Sequence, residues 1–328
     1  MPKILITGGC GFVGHHFVEH FLKTTDWSIS ILDKLSYAAN GFDRIRDIGA
    51  YDDSRLSLYT YDLENEISQG ITKENSTTEY ILHLAAESHV DGSIKDPMKF
   101  VRSNVVGTGN ILEFARRCKN LKAFVMFSTD EVFGPAPAGI RFKESDPYNC
   151  TNPYSATKAG AEQLTLAYMN TYNVPGFITH TMNVFGERQH PEKFIPMCIK
   201  RILGGEKIFI HADKQLEKPG SRFYIHARNV ANAVHFLLGR FEQREMYNIV
   251  GEQEVDNLTL VKFIASLLRK SPVWEPVDFH SSRPGHDLRY ALDGSKMKGL
   301  GWRLPLDFKQ SLSKTIEWYI NNPRWLDV

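Results

Sequence analysis

An apolar run, Lys3–Thr7, passes directly into Thr7-Gly8-Gly9-Cys10-Gly11-Phe12-Val13-Gly14, so Gly8, Gly11 and Gly14 stand at GxxGxxG spacing ahead of a helix-like stretch, Val13–Lys23. Few local patterns restrict a fold more. A strand that turns through such glycines into a helix opens a βαβ unit. The glycines permit the tight turn, let the backbone approach a pyrophosphate and bring the helix close to the strand, while the helix N-terminus faces the phosphates. A glycine-rich turn without a ligand is the plainer alternative, and the strand-turn-helix context argues against it.

The same rhythm continues. Ser28–Asp33, Leu58–Tyr61, Tyr80–Leu84, Ala123–Ser128 and Gly176–Thr181 read as strands. Met98–Arg117 and Tyr154–Tyr172, the latter beginning behind Pro153, have helical periodicity. Alternation of this kind predicts an α/β fold, a Rossmann-type doubly wound parallel sheet, over residues 1–180. Beyond it a Pro/Gly/charge-rich stretch, 191–220, precedes two helix-like segments, Asn229–Gly239 and Leu258–Arg269. Residues 181–328 are expected to form mainly a smaller C-terminal substrate-binding lobe, with some segments returning to the first domain. Lys214–Gly220 (KQLEKPG) reads as an exposed loop.

Lys and Arg number 39 against 38 Asp and Glu, a net charge of +1, so no electrostatic footprint for nucleic acid or an anionic membrane exists. No apolar run approaches the ~18 residues of a membrane span. Cys10, Cys118, Cys150 and Cys198 form neither a CxxC pair nor a zinc spacing. Together with the absence of a leader before Lys3, this predicts reduced thiols in a cytoplasmic protein. His16-Phe17-Val18-Glu19-His20 matches H-x-x-E-H, but that helix is already accounted for by the glycine turn and no third ligand is evident, so no metal is expected. The sequons at Asn75, Asn149 and Asn257 carry little information without a secretory signal.

Asp33 closes the second strand, 19 positions after Gly14. A carboxylate there accepts hydrogen bonds from the adenosine ribose and repels a 2′-phosphate, which favours NAD over NADP, although Lys34 beside it weakens the exclusion. Asp62, after the third strand, either reaches the adenine amino group or is a plain turn residue. Tyr154 and Lys158 lie one helical turn apart. A phenol has a pKa near 10 and needs a nearby cation before it can take a proton from a hydroxyl at neutral pH. YxxxK alone is a common accident of amphipathic helices; behind a strand ending in Ser128-Thr129 and a dinucleotide fingerprint it carries weight.

Taken together, TGGCGFVG, LAAESHVD, STDEVFG, NPYSATKAGAE, PEKFIP and RPGHD resemble, in order and over nearly the whole chain, the nucleotide-sugar 4,6-dehydratases of the extended short-chain dehydrogenase/reductase type. The dTDP-glucose and UDP-glucose enzymes are the nearest in pattern, and NPYSATKAGAE is especially similar to the UDP-glucose enzymes of plant rhamnose synthesis. The resemblance implies bound NAD, held by the glycine turn with Phe12, Val13, Asp33, Lys34, Asp62, Leu63, Leu84, Ala85, Ala86, Tyr154, Lys158 and Asn183. It implies that Tyr154 takes the O4 proton of an NDP-hexose, that Thr129 holds O4, and that Lys158 also holds the nicotinamide ribose. Loss of water across C5 and C6 needs a base and an acid, roles that fall by resemblance to Glu131 and Asp130. The plainer reading of Ser128 and Glu131 is an S-x-x-E capping box, compatible with the other.

Ser88 and Asn183 are expected to face the hexose, Glu192, Lys193 and Lys207–Ile210 the nucleobase, and Arg222, Asn257, Arg283 and His286 the diphosphate and nucleoside. The sequence departs from the dTDP-glucose pattern at Met182, where Asn is common, and at Phe223, where Asp follows the Arg. A homodimer through the helices 98–117 and 154–172 is implied by analogy. Two alternatives compete: a 4-epimerase or decarboxylase, against which Asp130-Glu131 argues, and a non-catalytic dinucleotide sensor, against which Thr129, Tyr154 and Lys158 argue.

Overall fold

The computed structural model describes residues 1–278 and 288–327. Arg283 and His286, two of the expected diphosphate ligands, lie outside the described residues. Seven strands form one parallel sheet: β1 (Lys3–Thr7), β2 (Ser28–Asp33), β3 (Leu56–Thr60), β4 (Tyr80–His83), β5 (Ala123–Thr129), β6 (Gly176–Thr181) and β10 (Met246–Ile249). Their order is β3-β2-β1-β4-β5-β6-β10. The order reverses between β1 and β4, and such a switch point leaves a crevice at the carboxyl ends of the strands.

Both faces are covered by helices, so the strands are apolar almost throughout. Ile4 and Ile6 of β1, with Ala123 and Val125 of β5, pack against Phe17, Val18 and Phe21 of the first helix and Val230, Val234 and Leu237 of helix Ala227–Leu238. The opposite rows, Leu5, Phe124, Met126 and Ile178, meet Ile111, Leu112 and Ala161 on helices Gly107–Arg117 and Pro153–Thr171. Thus a helix and a strand from beyond residue 180, Ala227–Leu238 and β10, complete the large sheet's layers.

Three strand ranges, β1, β2 and β6, coincide with the sequence reading. β3 begins and ends earlier than expected, because Leu56 and Ser57 extend its pairing with Ile29 and Ser30. The expected helix Met98–Arg117 is one helical path with an interruption: Val101–Val106 is π-helical between Pro97–Phe100 and Gly107–Arg117. The wider turn directs buried Asn104 inward, where its amide donates to Glu87 O at 3.1 Å and Thr157 Oγ1 at 3.0 Å and accepts from Glu87 N at 2.8 Å.

The smaller lobe holds β7 (Asn183–Phe185), β9 (Ser221–His226) and β11 (Glu254–Asp256) in one sheet, and β8 (Lys207–Ala212) with β12 (Val273–Asp278) in another. Ile195, Ile199, Leu260, Ile264, Leu312 and Trp325 form its own core. The segment 214–220 links β8 to β9 and is largely exposed. All four cysteines are free. His16 and His20 do not converge on one point: His16 Nε2 lies 3.3 Å from Glu187 O, and His20 Nε2 lies 2.9 Å from His235 Nδ1. Among the described residues, no helix is long and apolar enough to cross a membrane.

Candidate active site

The crevice at the switch point opens into a cleft of about 410 Å³. Its floor is the glycine turn. Gly8 has φ +70°, and a Cβ there would stand 2.8 Å from Ala85 N; a Cβ on Gly14 would stand 2.1 Å from Gly8 O. Only glycine permits this approach of turn, helix and the β4 loop. Around the floor the cleft gathers Gly11, Phe12, Val13, Asp33, Lys34, Asp62, Leu63, Leu84, Ala85 and Ala86.

Asp33, 8% exposed, is fixed by two backbone amides, Cys10 N to Oδ2 at 2.9 Å and Leu35 N to Oδ1 at 2.8 Å. Each oxygen keeps a second lone pair for a ribose hydroxyl. Burial raises its pKa, partly offset by those amides. Lys34 pairs with Glu87 at 3.0 Å and Glu64 at 3.7 Å, so its charge is matched on the spot. Glu87, which lines the cleft and also meets Lys99 at 3.2 Å, was not singled out in the sequence. A glycine cradle beside a fixed carboxylate fits the adenosine and pyrophosphate of a dinucleotide.

The opposite wall carries the acid-base groups. Helix Pro153–Thr171 starts with a capping box: Asn152 Oδ1 accepts from Ser155 N at 2.9 Å, Ser155 Oγ accepts from Asn152 N at 3.3 Å, and Pro153 occupies the first turn. This places buried Tyr154 and Lys158 on the cleft side. The Tyr154 hydroxyl hydrogen-bonds to Thr129. Burial first, then the charge of Glu131, pushes that phenol up. Lys158 donates to Phe127 O at 2.6 Å, and burial pushes it down to about 8.

From the end of β5, Thr129 Oγ1 donates to Asp130 Oδ1 at 3.0 Å and accepts from Glu131 N at 3.3 Å. Thr129 therefore caps the short 3₁₀ turn Asp130–Phe133. The S-x-x-E cap expected from Ser128 is not formed, because Ser128 Oγ points the other way and donates to Glu162. Asp130 is 6% exposed, and its Oδ2 is buried with no hydrogen-bond partner among the described residues. Burial, reinforced by neighbouring Glu131, raises Asp130 to about 7. Glu131 Oε2 faces Asn152 Nδ2 at 3.2 Å and Tyr290 Oη at 3.4 Å, two contacts that the sequence reading missed.

Ser88, Asn183, Glu192 and Lys193 line the mouth of the same cleft. Arg222, Asn257 and β8 do not line it. Arg222 Nη1 donates to Ser221 O and Leu288 O, both at 2.7 Å, with its guanidinium 4.7 Å from the centre of the Tyr290 ring. Asn257 Oδ1 accepts from Tyr224, a cleft residue, at 3.2 Å. The two departures, Met182 and Phe223, are 3% and 1% exposed and belong to one buried apolar cluster with Val132, Phe133 and Tyr290. The polar pair of the dTDP-glucose pattern is thus replaced by an apolar pair in one place.

Comparison with known proteins bears on this arrangement. The family model described as GDP-mannose 4,6 dehydratase matches residues 5–315. A dTDP-glucose 4,6-dehydratase of Salmonella typhimurium is 35% identical, covering 99% of this chain and 94% of that one. A trifunctional UDP-glucose 4,6-dehydratase of Arabidopsis thaliana is 34% identical over 99% of this chain and 48% of its own length. A crystal structure of dTDP-glucose 4,6-dehydratase from Streptomyces venezuelae, solved with NAD bound, superposes with TM-score 0.88 at 33% identity over 98% of both chains.

Proposed function

The chain belongs to the GDP-mannose 4,6-dehydratase family, and from that premise we propose that it is an NAD-dependent NDP-glucose 4,6-dehydratase, a hydro-lyase that yields NDP-4-keto-6-deoxyglucose and water. The observation that carries this reading is the buried Asp130, with one carboxyl oxygen unpartnered, beside Glu131 and in the same cleft as Thr129, Tyr154 and Lys158. A 4-epimerase needs the last three and has no use for an acid-base pair at C5 and C6.

The glycine turn and Asp33 would hold the adenosine and pyrophosphate of NAD, which would supply the hydride acceptor for C4 and the hydride donor for C6. Tyr154 accepts the O4 proton, and Thr129, which hydrogen-bonds Tyr154 and Asp130, orients that oxygen. The 4-ketone acidifies C5–H. Glu131 removes that proton while Asp130 protonates the departing C6 hydroxyl, and Glu131 then returns its proton to C5. The proton gained by Tyr154 and the one lost by Asp130 balance over the cycle. Asp130 near 7 is poised as an acid at neutral pH, where an ordinary Asp would be ionised.

Residues 1–180 supply the cofactor side and the later lobe the sugar-nucleotide side, with Ser88 and Asn183 on the hexose and Glu192, Lys193, Arg222 and Asn257 toward the nucleotide. The protein acts as a cytoplasmic homodimer in this reading. Supporting this are its free thiols and the exposed Met98 and Val106 on the helical path from Pro97 to Arg117, with exposed Tyr172 just past helix Pro153–Thr171. The deciding experiment incubates purified protein with dTDP-, UDP-, GDP- and CDP-glucose. Alkali-treated product from a dehydratase develops the near-ultraviolet absorbance of a 4-keto-6-deoxy sugar. A product altered only in C4 stereochemistry would replace this reading with the epimerase.

A further inference from the structure

At the carboxyl ends of β5, β6 and β10, the apolar rows facing helix Pro153–Thr171 give way to a polar row. Ser128, His180 and Asn248 are register partners across the three strands. Glu162, wholly buried, closes this row from the helix. Its Oε1 accepts from Ser128 Oγ, and its Oε2 accepts from the Tyr148 hydroxyl and lies 3.0 Å from His180 Nε2. His180 Nδ1 lies 3.1 Å from Asn248 Oδ1. The orientation of that amide is fixed, because its Nδ2 donates to Phe142 O and Asp293 O at 3.0 and 3.1 Å. His180 Nδ1 thus faces an acceptor and donates to it, while Nε2 faces the Glu162 carboxylate and the Tyr148 hydroxyl.

Burying a carboxylate is costly unless its partners are complete, and here three elements besides the helix supply them. Glu162 itself does not line the cleft. Its link to the chemistry is through its neighbours. Lys158 precedes it by one helical turn and Tyr154 by two, on the same face. Its partner Ser128 immediately precedes Thr129, Asp130 and Glu131. One side chain therefore ties the strand end carrying three acid-base groups to the helix carrying the other two.

We propose that Glu162 is a positioning residue for the acid-base centre: it locks helix Pro153–Thr171 in register with the end of β5 and supplies the buried negative charge that Lys158 and Tyr154 face along their own helix. The proposal rests on the reading of Tyr154 as the base. The charge of Glu162 favours the ammonium of Lys158 and opposes the phenolate of Tyr154. The other charged or titratable groups around these residues are His83 on β4, Asp130 and Glu131 after β5, Tyr148 and Cys150 before the helix, and His180 on β6. Burial alone would raise Glu162, but His180, Ser128 and Tyr148 outweigh it and hold the carboxyl below its ordinary range.

Glu162→Gln keeps the shape and can serve the same partners, while removing the charge. Both the Lys158 ammonium and the Tyr154 phenol should then lose protons at lower pH. Both limbs of the pH profile for C4 oxidation should move down together by ~0.3–1 unit, a partly screened charge one helical turn away. The phenolate absorbance titration, taken as the difference from Tyr154→Phe in each background, should shift likewise without any turnover. Glu162→Asp, which restores the charge, should return both limbs to their wild-type positions. Ser128→Ala tests the register alone: kcat should fall several-fold with the limbs unmoved and nucleotide-sugar KM little changed. Unshifted or upward-moving limbs in Glu162→Gln, or a Ser128→Ala variant with wild-type kcat, would overturn the proposal. An active Tyr154→Phe enzyme would instead remove the underlying assignment of the base, whatever Glu162→Gln does.

Discussion

Replacing Asp130 by Asn should stabilise the protein at alkaline pH while disabling it. Asp130 is raised from its ordinary 3.8 to about 7, chiefly by burial and then by Glu131. That difference amounts to ~4 kcal/mol of extra free energy in the ionised form, an upper bound because the site relaxes. The folded state holds the proton more tightly than the unfolded chain, so stability falls as pH rises from about 4 to about 7 and the full penalty persists above that. An amide of the same size does not ionise. Urea unfolding of cofactor-free protein should therefore show a gain of ~1–4 kcal/mol for Asp130→Asn at about pH 8, and almost none of that gain at about pH 4. The contrast between the two pH values is decisive, because the fit of the amide in the site cancels in it. The same variant, mixed with the correct NDP-glucose, should oxidise C4 and accumulate reduced cofactor with little 4-keto-6-deoxy product. An equal stability gain at both pH values would show that ionisation of Asp130 is not the source, and product at the wild-type rate would remove it as the acid.

Tyr154→Phe should lower the rate of C4 oxidation by ~10²–10⁴-fold, seen in stopped-flow absorbance of the reduced cofactor, since no phenolic oxygen remains to take the O4 proton. Asp33→Ala should lower the NAD content of purified protein, quantified after acid extraction; unchanged retention would place the ribose elsewhere. Glu131→Gln should still reduce cofactor yet incorporate little solvent deuterium at C5, measured by mass spectrometry of product and recovered substrate. Deuterium at the wild-type level would assign the C5 proton to another base.

Much of this framework was legible because its signals are local. β1, β2 and β6 are short apolar runs bounded by turn residues, and a doubly buried parallel strand has no other pattern to offer. Gly8 and Gly14 are forced by distances a sequence spacing already encodes. What was not legible depends on partners far along the chain. The π-turn at Val101–Val106 follows from where Asn104 meets Glu87 and Thr157. Ser128 has the spacing of a cap, and the choice between Glu131 and Glu162 is made by packing of the helix. Glu162 carries no local signal of burial, because Ser128, Tyr148 and His180 come around it only in the fold. Arg222 and Asn257 do not line the cleft: Arg222 donates to backbone carbonyls beside Tyr290, and Asn257 accepts from Tyr224, contacts made by segments far apart in the chain.

Two adjacent carboxyls share one turn of chain, and their surroundings divide the labour between them. Asp130 turns inward: it is 6% exposed, and one of its oxygens receives only the Thr129 hydroxyl while the other receives nothing among the described residues. An acid so placed keeps its proton to near neutrality and can give it to a leaving hydroxyl. Glu131 is half-buried and faces the amide of Asn152 and the hydroxyl of Tyr290 on one oxygen. Donors of this kind stabilise a carboxylate and hold it as a base. The negative charge of Glu131 in turn raises its neighbour, which suits Asp130 to the acid role. The 3₁₀ turn that Thr129 caps makes this possible, because it projects consecutive side chains into different environments at the mouth of one strand. In the proposed reading the same turn supplies a proton donor and a proton acceptor to two neighbouring carbons of one sugar, which elimination requires and simple oxidation at C4 does not.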